Sequence, residues 1–250
     1  MADADTQLPF NPTTANEHWF DALVRHQVFL LRAAGGIRNE TLPILDATEP
    51  EIAGLILLGL ESGTQRSVTA TQKRVARVRQ SAWREVNRLL KKDFDQLTDI
   101  EVNFLSDTLR RVLPFVYVPT EPDVSKILET NKFQGLTLAE WIQRNAELDI
   151  DRVTRAIQTG YTQGETPRQI VNRVIGTKAQ KGRDGVTNIT RAQLTTLIRT
   201  ATIATSNSVR TEFLFANSDI FDEEMYVATL DSRTTPICMA GGEPVIEKRL

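Results

Sequence analysis

The chain between Val68 and Lys92 reads VTATQKRVARVRQSAWREVNRLLKK, without glycine or proline. Successive residues of an α-helix are about 100° apart around its axis, so apolar residues three or four positions apart share one side. That side carries Val75, Val78, Ala82, Val86 and Leu89. The spacing predicts one long amphipathic helix over about residues 68–97, packed through its apolar side.

The opposite side of this predicted helix is basic. Between Val68 and Lys92 only Glu85 offsets the cations, and Arg79 is the one arginine that projects towards the apolar edge. A segregated positive face is typical of a helix that contacts phosphates or an acidic partner protein. The other interpretation is a solvated face whose cations pair with acidic helices elsewhere in the chain. The cations are Lys73, Arg74, Arg77, Arg84, Arg88, Lys91 and Lys92.

Signals for the start of a helix recur along the whole chain. In a capping box, Ser or Thr precedes Glu or Gln by three residues, and the two side chains satisfy backbone amides that lack helical partners. Repeated boxes followed by apolar residues at helical spacing predict a mainly α, multi-helix protein. The pairs are Thr14/Glu17, Thr48/Glu51, Thr98/Glu101, Thr137/Glu140, Thr166/Gln169 and Thr190/Gln193.

The boundaries of these elements follow from glycine, proline and polar residues. We expect the first helix to stop at Gly35 and Gly36, and we expect a linker at 114–134, which is rich in proline. The predicted organisation is an extended arm at 1–14, a helical region at 15–113, this linker, and a second helical region at 135–250. The predicted helices span residues 15–34, 50–61, 68–97, 99–113, 123–129, 138–159, 167–175 and 191–216.

The helical pattern ends near the C-terminus, where residues 225–242 read MYVATLDSRTTPICMAGG. The run Met225–Leu230 is of β type and predicts a small β element. It enters a polar turn in which Asp and Ser side chains bond their own backbone and proline fixes φ. We expect Asp231 to cap this turn and to pair with Arg233, so that the turn holds the β element against the helices.

This C-terminal stretch resembles the conserved tail motif of the phage Mu F-like minor head proteins, the phage head morphogenesis family. A weaker resemblance extends upstream to about Gly135, so that it covers a little under half of the chain. One departure is Ala201, which follows Arg199 and Thr200 where the family usually has an acidic residue. The tail motif is matched at Tyr226, Ala228, Thr229, Leu230, Asp231, Arg233, Thr234, Cys238 and Gly241 or Gly242.

The resemblance implies a structural minor head protein of a tailed phage that acts in head assembly and in DNA packaging or ejection. It implies several copies per virion inside the capsid near the portal, after assembly in the host cytoplasm. The implied partners are the portal protein, packaged double-stranded DNA, and the scaffold or major capsid protein. Two alternatives stay open: an assembly adaptor that does not bind DNA, and an enzyme or toxin-linked member of the family.

The residue types that carry chemistry form no catalytic constellation in the sequence. Cys238 is the single cysteine, and with no histidine close to it in sequence it fits a buried apolar side chain better than a nucleophile. His18 and His26 lie two turns apart on one predicted helix and lack a third metal ligand. We therefore expect no enzyme activity, no metal site and no cofactor, and a structural role for Asp231, Arg233, Thr234, Cys238 and Gly241.

Composition places the chain among globular proteins that make no use of a membrane. The formal net charge of −2 does not by itself indicate a nucleic-acid-binding protein. The acidic N-terminus lacks a secretory signal, and the apolar run Leu55–Leu60 is too short to cross a bilayer. We expect a soluble protein made in a reducing compartment. Many relatives continue past the cysteine with a His/Cys-rich segment, so this chain is either a shorter relative or a piece of a longer protein.

Overall fold

Helices make up most of the computed structural model, which describes residues 14–111, 115–119, 126 and 129–219. This confirms the prediction of a mainly α protein. No strand occurs within those ranges, where one antiparallel bridge joins Phe133 and Leu136. The predicted β element at Met225–Leu230 lies outside the described residues, as does almost all of the predicted arm. The helices are α1 (Ala15–Asp46), α2 (Glu49–Gly59), α3 (Gln65–Arg110), α4 (Leu138–Thr162), α5 (Pro167–Ile175) and α6 (Thr187–Ala216).

Helix α1 continues well beyond its predicted end. It begins at the Thr14/Glu17 capping box and passes through Gly35 and Gly36 to end at Asp46, so the prediction of a stop at these glycines was wrong. A glycine inside a helix costs about 1 kcal/mol relative to alanine. The buried face of α1 continues across the glycines, with Ala34 before them and Leu45 after them in the same core. Burial of that face outweighs the local preference.

Helix α3 is a single helix where two were predicted. The prediction of a break at Thr98 was wrong, because the helix continues through this residue. Instead of capping a new helix, the Thr98 hydroxyl donates a hydrogen bond of 2.8 Å to the Phe94 carbonyl of its own helix. The buried side of α3 also continues beyond this point through Leu105 and Leu109. With 46 residues, α3 is about 69 Å long at 1.5 Å per residue.

Three apolar clusters lie along α3 and form the core of the molecule. Near its start, Val68 and Val75 pack with α2, the end of α4 and α5. Along its middle, the segment from Ala82 to Leu97 packs with α1, the start of α4 and α6. Near its end, Leu105 and Leu109 pack with the beginning of α1 and the end of α6. Helices from both sides of the predicted linker at 114–134 therefore contribute to the same clusters.

Three of the six predicted capping boxes form. Thr14, Thr137 and Thr166 each make the reciprocal pair of hydrogen bonds. Thr48 precedes α2 without a side-chain capping bond. Thr98 lies inside α3 and Thr190 lies inside α6, so neither caps a helix. Thr190 is inside because α6 begins at Thr187 rather than at the predicted residue 191.

A buried ion pair lies between the first and second clusters and joins α3 to α4. The Nε and Nη2 atoms of Arg79 each lie 2.7 Å from Asp149 Oδ2. Arg79 is 1% exposed and Asp149 is 0% exposed. The other Arg79 nitrogen, Nη1, donates to the Leu45 carbonyl and to the Thr48 hydroxyl, both at 3.0 Å. The sequence pattern had placed Arg79 towards the apolar edge, and the structure places it inside the core.

Asp149 accepts further hydrogen bonds from a second residue of α3 and from α6. The Trp83 indole N–H donates to Oδ2 at 2.8 Å, and the Thr190 hydroxyl donates to Oδ1 at 2.6 Å. Each buried charge thus has both a counter-ion and neutral partners, which is the condition under which a buried ion pair is tolerated. The network joins α3, α4, α6 and the corner between α1 and α2.

Replacing Asp149 by alanine is expected to destabilise the protein by about 3–5 kcal/mol, because Arg79 would remain buried without a counter-ion. Urea unfolding at pH 7, followed by circular dichroism at 222 nm, measures the loss. Asp151→Ala is the matched control on the same helix, since Asp151 pairs with Arg155 at an exposed site and its loss is expected to cost less than about 1 kcal/mol. Equal losses in the two variants would contradict this account of the core.

Candidate functional site

The outward side of α3 forms a continuous basic face. All seven predicted cations are exposed, and by helix geometry they occupy an arc of about 100° over a length of about 28 Å. The inward side of the same turns is buried and includes Trp83 and Val86. The packing of α3 therefore fixes the direction in which the basic face points. We define the basic face as Lys73, Arg74, Arg77, Arg84, Arg88, Lys91 and Lys92.

Within the described part of the chain, most of these cations have no acidic partner. Among the described residues, ion pairs of the basic face are limited to the one between Arg88 and Glu85. Acidic side chains elsewhere pair with other arginines: Asp46 and Glu49 with Arg191, and Glu165 with Arg173. The interpretation that the basic face is neutralised by acidic helices of the same chain is therefore not supported by the described contacts.

Charge is distributed unevenly along the chain. Residues 68–92 contain eight Lys and Arg but one Glu, a formal charge of +7, which leaves −9 on the rest of a chain whose net charge is −2. One of the eight cations, Arg79, is neutralised inside the core by Asp149. A local positive field can thus attract an anion although the whole chain is slightly acidic.

Glu85 modifies the middle of the basic face. Arg88 binds it with two hydrogen bonds, from Nε to Oε2 at 2.9 Å and from Nη2 to Oε1 at 2.5 Å. These bonds lower the pKa of Glu85 and raise the pKa of Arg88. Both side chains stay charged at neutral pH and partly cancel, so the strongest positive potential is expected at the cations on either side of this pair.

A shallow depression of about 500 Å³ lies beside Arg77 and is lined by Glu51 and Glu85 as well as by Ser81 and Ala82. Two carboxylates beside one guanidinium disfavour a small anion in this depression. An extended polyanion is better matched to the exposed ridge of cations along α3.

Asp93 lies just beyond the basic face and is partly desolvated. Burial raises the pKa of Asp93, the nearby Glu40 carboxylate adds to the rise, and Lys92 opposes it. Its Oδ2 atom is buried and makes no hydrogen bond within the described part of the chain. Ionised Asp93 therefore costs folding free energy at neutral pH.

The sequence did not reveal a second buried polar cluster, at the contact of α1, α3 and α6. His26 Nε2 lies 2.5 Å from Glu101 Oε1, and the Ser206 hydroxyl donates to Glu101 Oε2 at 2.6 Å. The carboxylate stands between the other two groups, so Ser206 does not contact the histidine as a nucleophile contacts its base. The His26 ring also stacks on Phe104, with ring centroids 3.6 Å apart. The cluster ties three helices together, and His18, eight residues earlier, lies exposed.

Asp231, Arg233, Thr234, Cys238 and Gly241 lie outside the described residues. Within the described residues, no group of three or more His, Cys, Asp and Glu side chains is arranged to hold a metal ion. The described helices include none with the length and apolar character needed to cross a membrane.

Comparison with known proteins gives no matching family model, no matching curated protein and no matching solved structure.

Asp93→Asn is expected to stabilise the protein at pH 7, because it removes the cost of burying a charge. The folded-state pKa of Asp93 is raised, so the wild-type penalty is absent below the unfolded pKa of about 3.9 and develops as the pH rises through the folded value. The gain from the substitution should therefore shrink as the pH falls from 7 to 4. Thermal unfolding across this range measures the gain.

Asp95→Asn is the matched control, because Asp95 is exposed on the same helix and its substitution should change the thermal midpoint little. The interpretation of Asp93 fails if Asp93→Asn gives no gain at pH 7, or if its gain is the same at pH 4.

Proposed function

We propose that the chain is a structural minor head protein of a tailed phage whose basic face contacts double-stranded DNA during packaging or ejection. The observation that carries the DNA contact is the row of exposed cations on α3, most of which have no acidic partner among the described residues. The row stands on a helix whose other side is buried along most of its length, so its cations are presented in a fixed orientation.

The dimensions and charge of the basic face suit the backbone of duplex DNA. A strand of B-DNA carries one phosphate per about 3.4 Å of helix axis, so a face about 28 Å long lies opposite about eight phosphates. Lysine and arginine contacts to phosphates release counter-ions and bind without regard to sequence. Trp83 is buried and donates to Asp149, so it is not presented for stacking on a base. We therefore propose nonspecific, salt-dependent binding.

The C-terminal motif is the basis for the proposed place of action. The resemblance of residues 226–241 to the Mu F-like tail motif supports a location in the virion, inside the capsid near the portal, with several copies and with the portal protein as partner. It also supports a small β element at Met225–Leu230. In this role Asp231, Arg233 and Thr234 are structural, and the protein is not an enzyme.

The same basic face favours one alternative function. An acidic surface on the portal, the scaffold or the major capsid protein presents carboxylates that lysine and arginine bind as well as phosphate. The chain would then be an assembly adaptor that binds protein rather than DNA. Both functions use the same cations, so the measurement must compare the two ligands directly.

Neutralising four cations that lack a described acidic partner is expected to weaken DNA binding at least tenfold at low salt. The variant is Lys73→Gln, Arg77→Gln, Arg84→Gln and Lys91→Gln in one chain. Each phosphate contact contributes about 0.9 to the slope of log K against log salt concentration, so the slope should fall by up to about 3.6. Fluorescence anisotropy with a random-sequence duplex, over a series of salt concentrations, measures both quantities.

A matched control removes the same charge from another part of the surface. The variant Arg168→Gln, Lys178→Gln, Lys181→Gln and Arg183→Gln changes four exposed cations on α5 and the loop before α6 and should retain the affinity and slope of the wild type. Equal effects of the two variants would show that net charge alone drives binding. If neither variant changes DNA binding, and only binding to purified portal protein depends on the α3 cations, the adaptor function replaces the proposed one.

A further inference from the structure

Residues 115–118 lie outside the helices, beside the ends of α3 and α6. Exposure alternates along this segment: Phe115 is 84% exposed and Tyr117 is 58% exposed, whereas Val116 and Val118 pack against the cluster around Leu105 and Phe213. Alternation of inward and outward side chains is the pattern of a β-strand with one face on a core. No strand partner is assigned to this segment within the described residues.

The side chain of Asn217 occupies one edge of this segment. Its Oδ1 accepts a hydrogen bond of 2.7 Å from the Tyr117 N–H, and its Nδ2 donates one of 2.8 Å to the Tyr117 carbonyl. Tyr117 thus gives both its N–H and its carbonyl to one partner, as a residue does in a hydrogen-bonded pair of an antiparallel sheet. Asn217 is itself buried and is held by a further bond from Nδ2 to the Phe213 carbonyl at 2.8 Å.

No partner occupies the other edge of the segment among the described residues. In an extended chain the backbone groups of neighbouring residues point to opposite edges, so those of Val116 and Val118 point away from Asn217. Within the described residues these groups make no hydrogen bond. An open edge flanked by two exposed aromatic side chains is a template for the addition of a strand.

We propose that this edge is covered by the chain's own run Met225–Leu230, which adds as a strand beside residues 115–118. The inference rests on the β element of the proposed function and adds its docking place. The connection from Asn217, which already contacts Tyr117, is residues 218–224. Seven residues reach at most about 25 Å, and a short tether gives an effective concentration in the millimolar range.

The composition of the run suits this edge. Tyr226, Val227 and Thr229 are aromatic or β-branched residues, the types that pair well across strands. Tyr226 would lie close to the exposed rings of Phe115 and Tyr117, and aromatic pairs stabilise neighbouring strands. The pairing would place the turn at Asp231 and Arg233 at the end of the bundle where α3 and α6 finish.

Hydrogen exchange of the full chain, read by mass spectrometry with fragmentation to single residues, tests the pairing through the amides of Val116 and Val118. Both amides should be protected in the wild type and should exchange at least tenfold faster in Val227→Pro/Ala228→Pro. That double variant removes an N–H from each edge of the run, so the direction of the run does not matter. The Tyr117 amide, bonded to Asn217, should remain protected and reports that the helices are folded.

Ile246→Pro/Glu247→Pro is the matched control and should retain the wild-type protection. Free exchange of Val116 and Val118 in the wild type would overturn the proposal, as would protection that the Val227→Pro/Ala228→Pro variant leaves unchanged. Protection that is lost on dilution would assign the edge to a second copy and would also overturn it. The strand pairing and the DNA binding can fail independently in these tests, because the Val227→Pro/Ala228→Pro variant keeps every cation of the basic face.

Discussion

The buried pair of Arg79 and Asp149 is the constraint on which the rest of the structure depends. Two charges that are almost completely removed from water must remain together, since separating them would leave an uncompensated ion inside the core. Their hydrogen bonds to the Leu45 carbonyl, Trp83 and Thr190 add the corner after α1, a second position on α3 and the start of α6. An apolar contact tolerates small slides and rotations, whereas this network is satisfied in one arrangement.

The network also determines which way the long helix faces. With Arg79 fixed inward, the positions about half a turn away around α3, among them Arg77 and Arg84, must face outward. The three clusters along α3 support the same rotation over its length of about 69 Å. The basic face is thus a consequence of core packing, and a ligand that binds it meets cations whose backbone positions are already ordered. Such preorganisation lowers the entropy lost on binding.

The sequence was sufficient for the class of fold and for the direction of the basic face, because both follow from periodicity. It was insufficient where a local signal competed with packing. Gly35 and Gly36 read as a stop, and Thr98 reads as a helix start, yet continuous burial on α1 and α3 overrides both. The partners of Arg79 and His26 lie 70 and 75 residues away in the chain, a separation that no local pattern encodes. At the candidate site, the sequence was sufficient to predict the cations. It did not show that most of them have no acidic partner among the described residues.

The basic face has a cost for the helix that carries it. Lys73 and Arg77, Arg84 and Arg88, and Arg88 and Lys92 are like charges four residues apart, and such pairs destabilise a helix by a few tenths of a kcal/mol each. A glutamate at one position of each pair would convert repulsion into attraction, as Glu85 does for Arg88. The buried side of α3 stabilises the helix enough to offset the repulsion, but it gives no reason for the repulsion to exist. In the proposed function, duplex DNA would relieve the repulsion at every pair, because an extended polyanion places phosphates beside all of these cations.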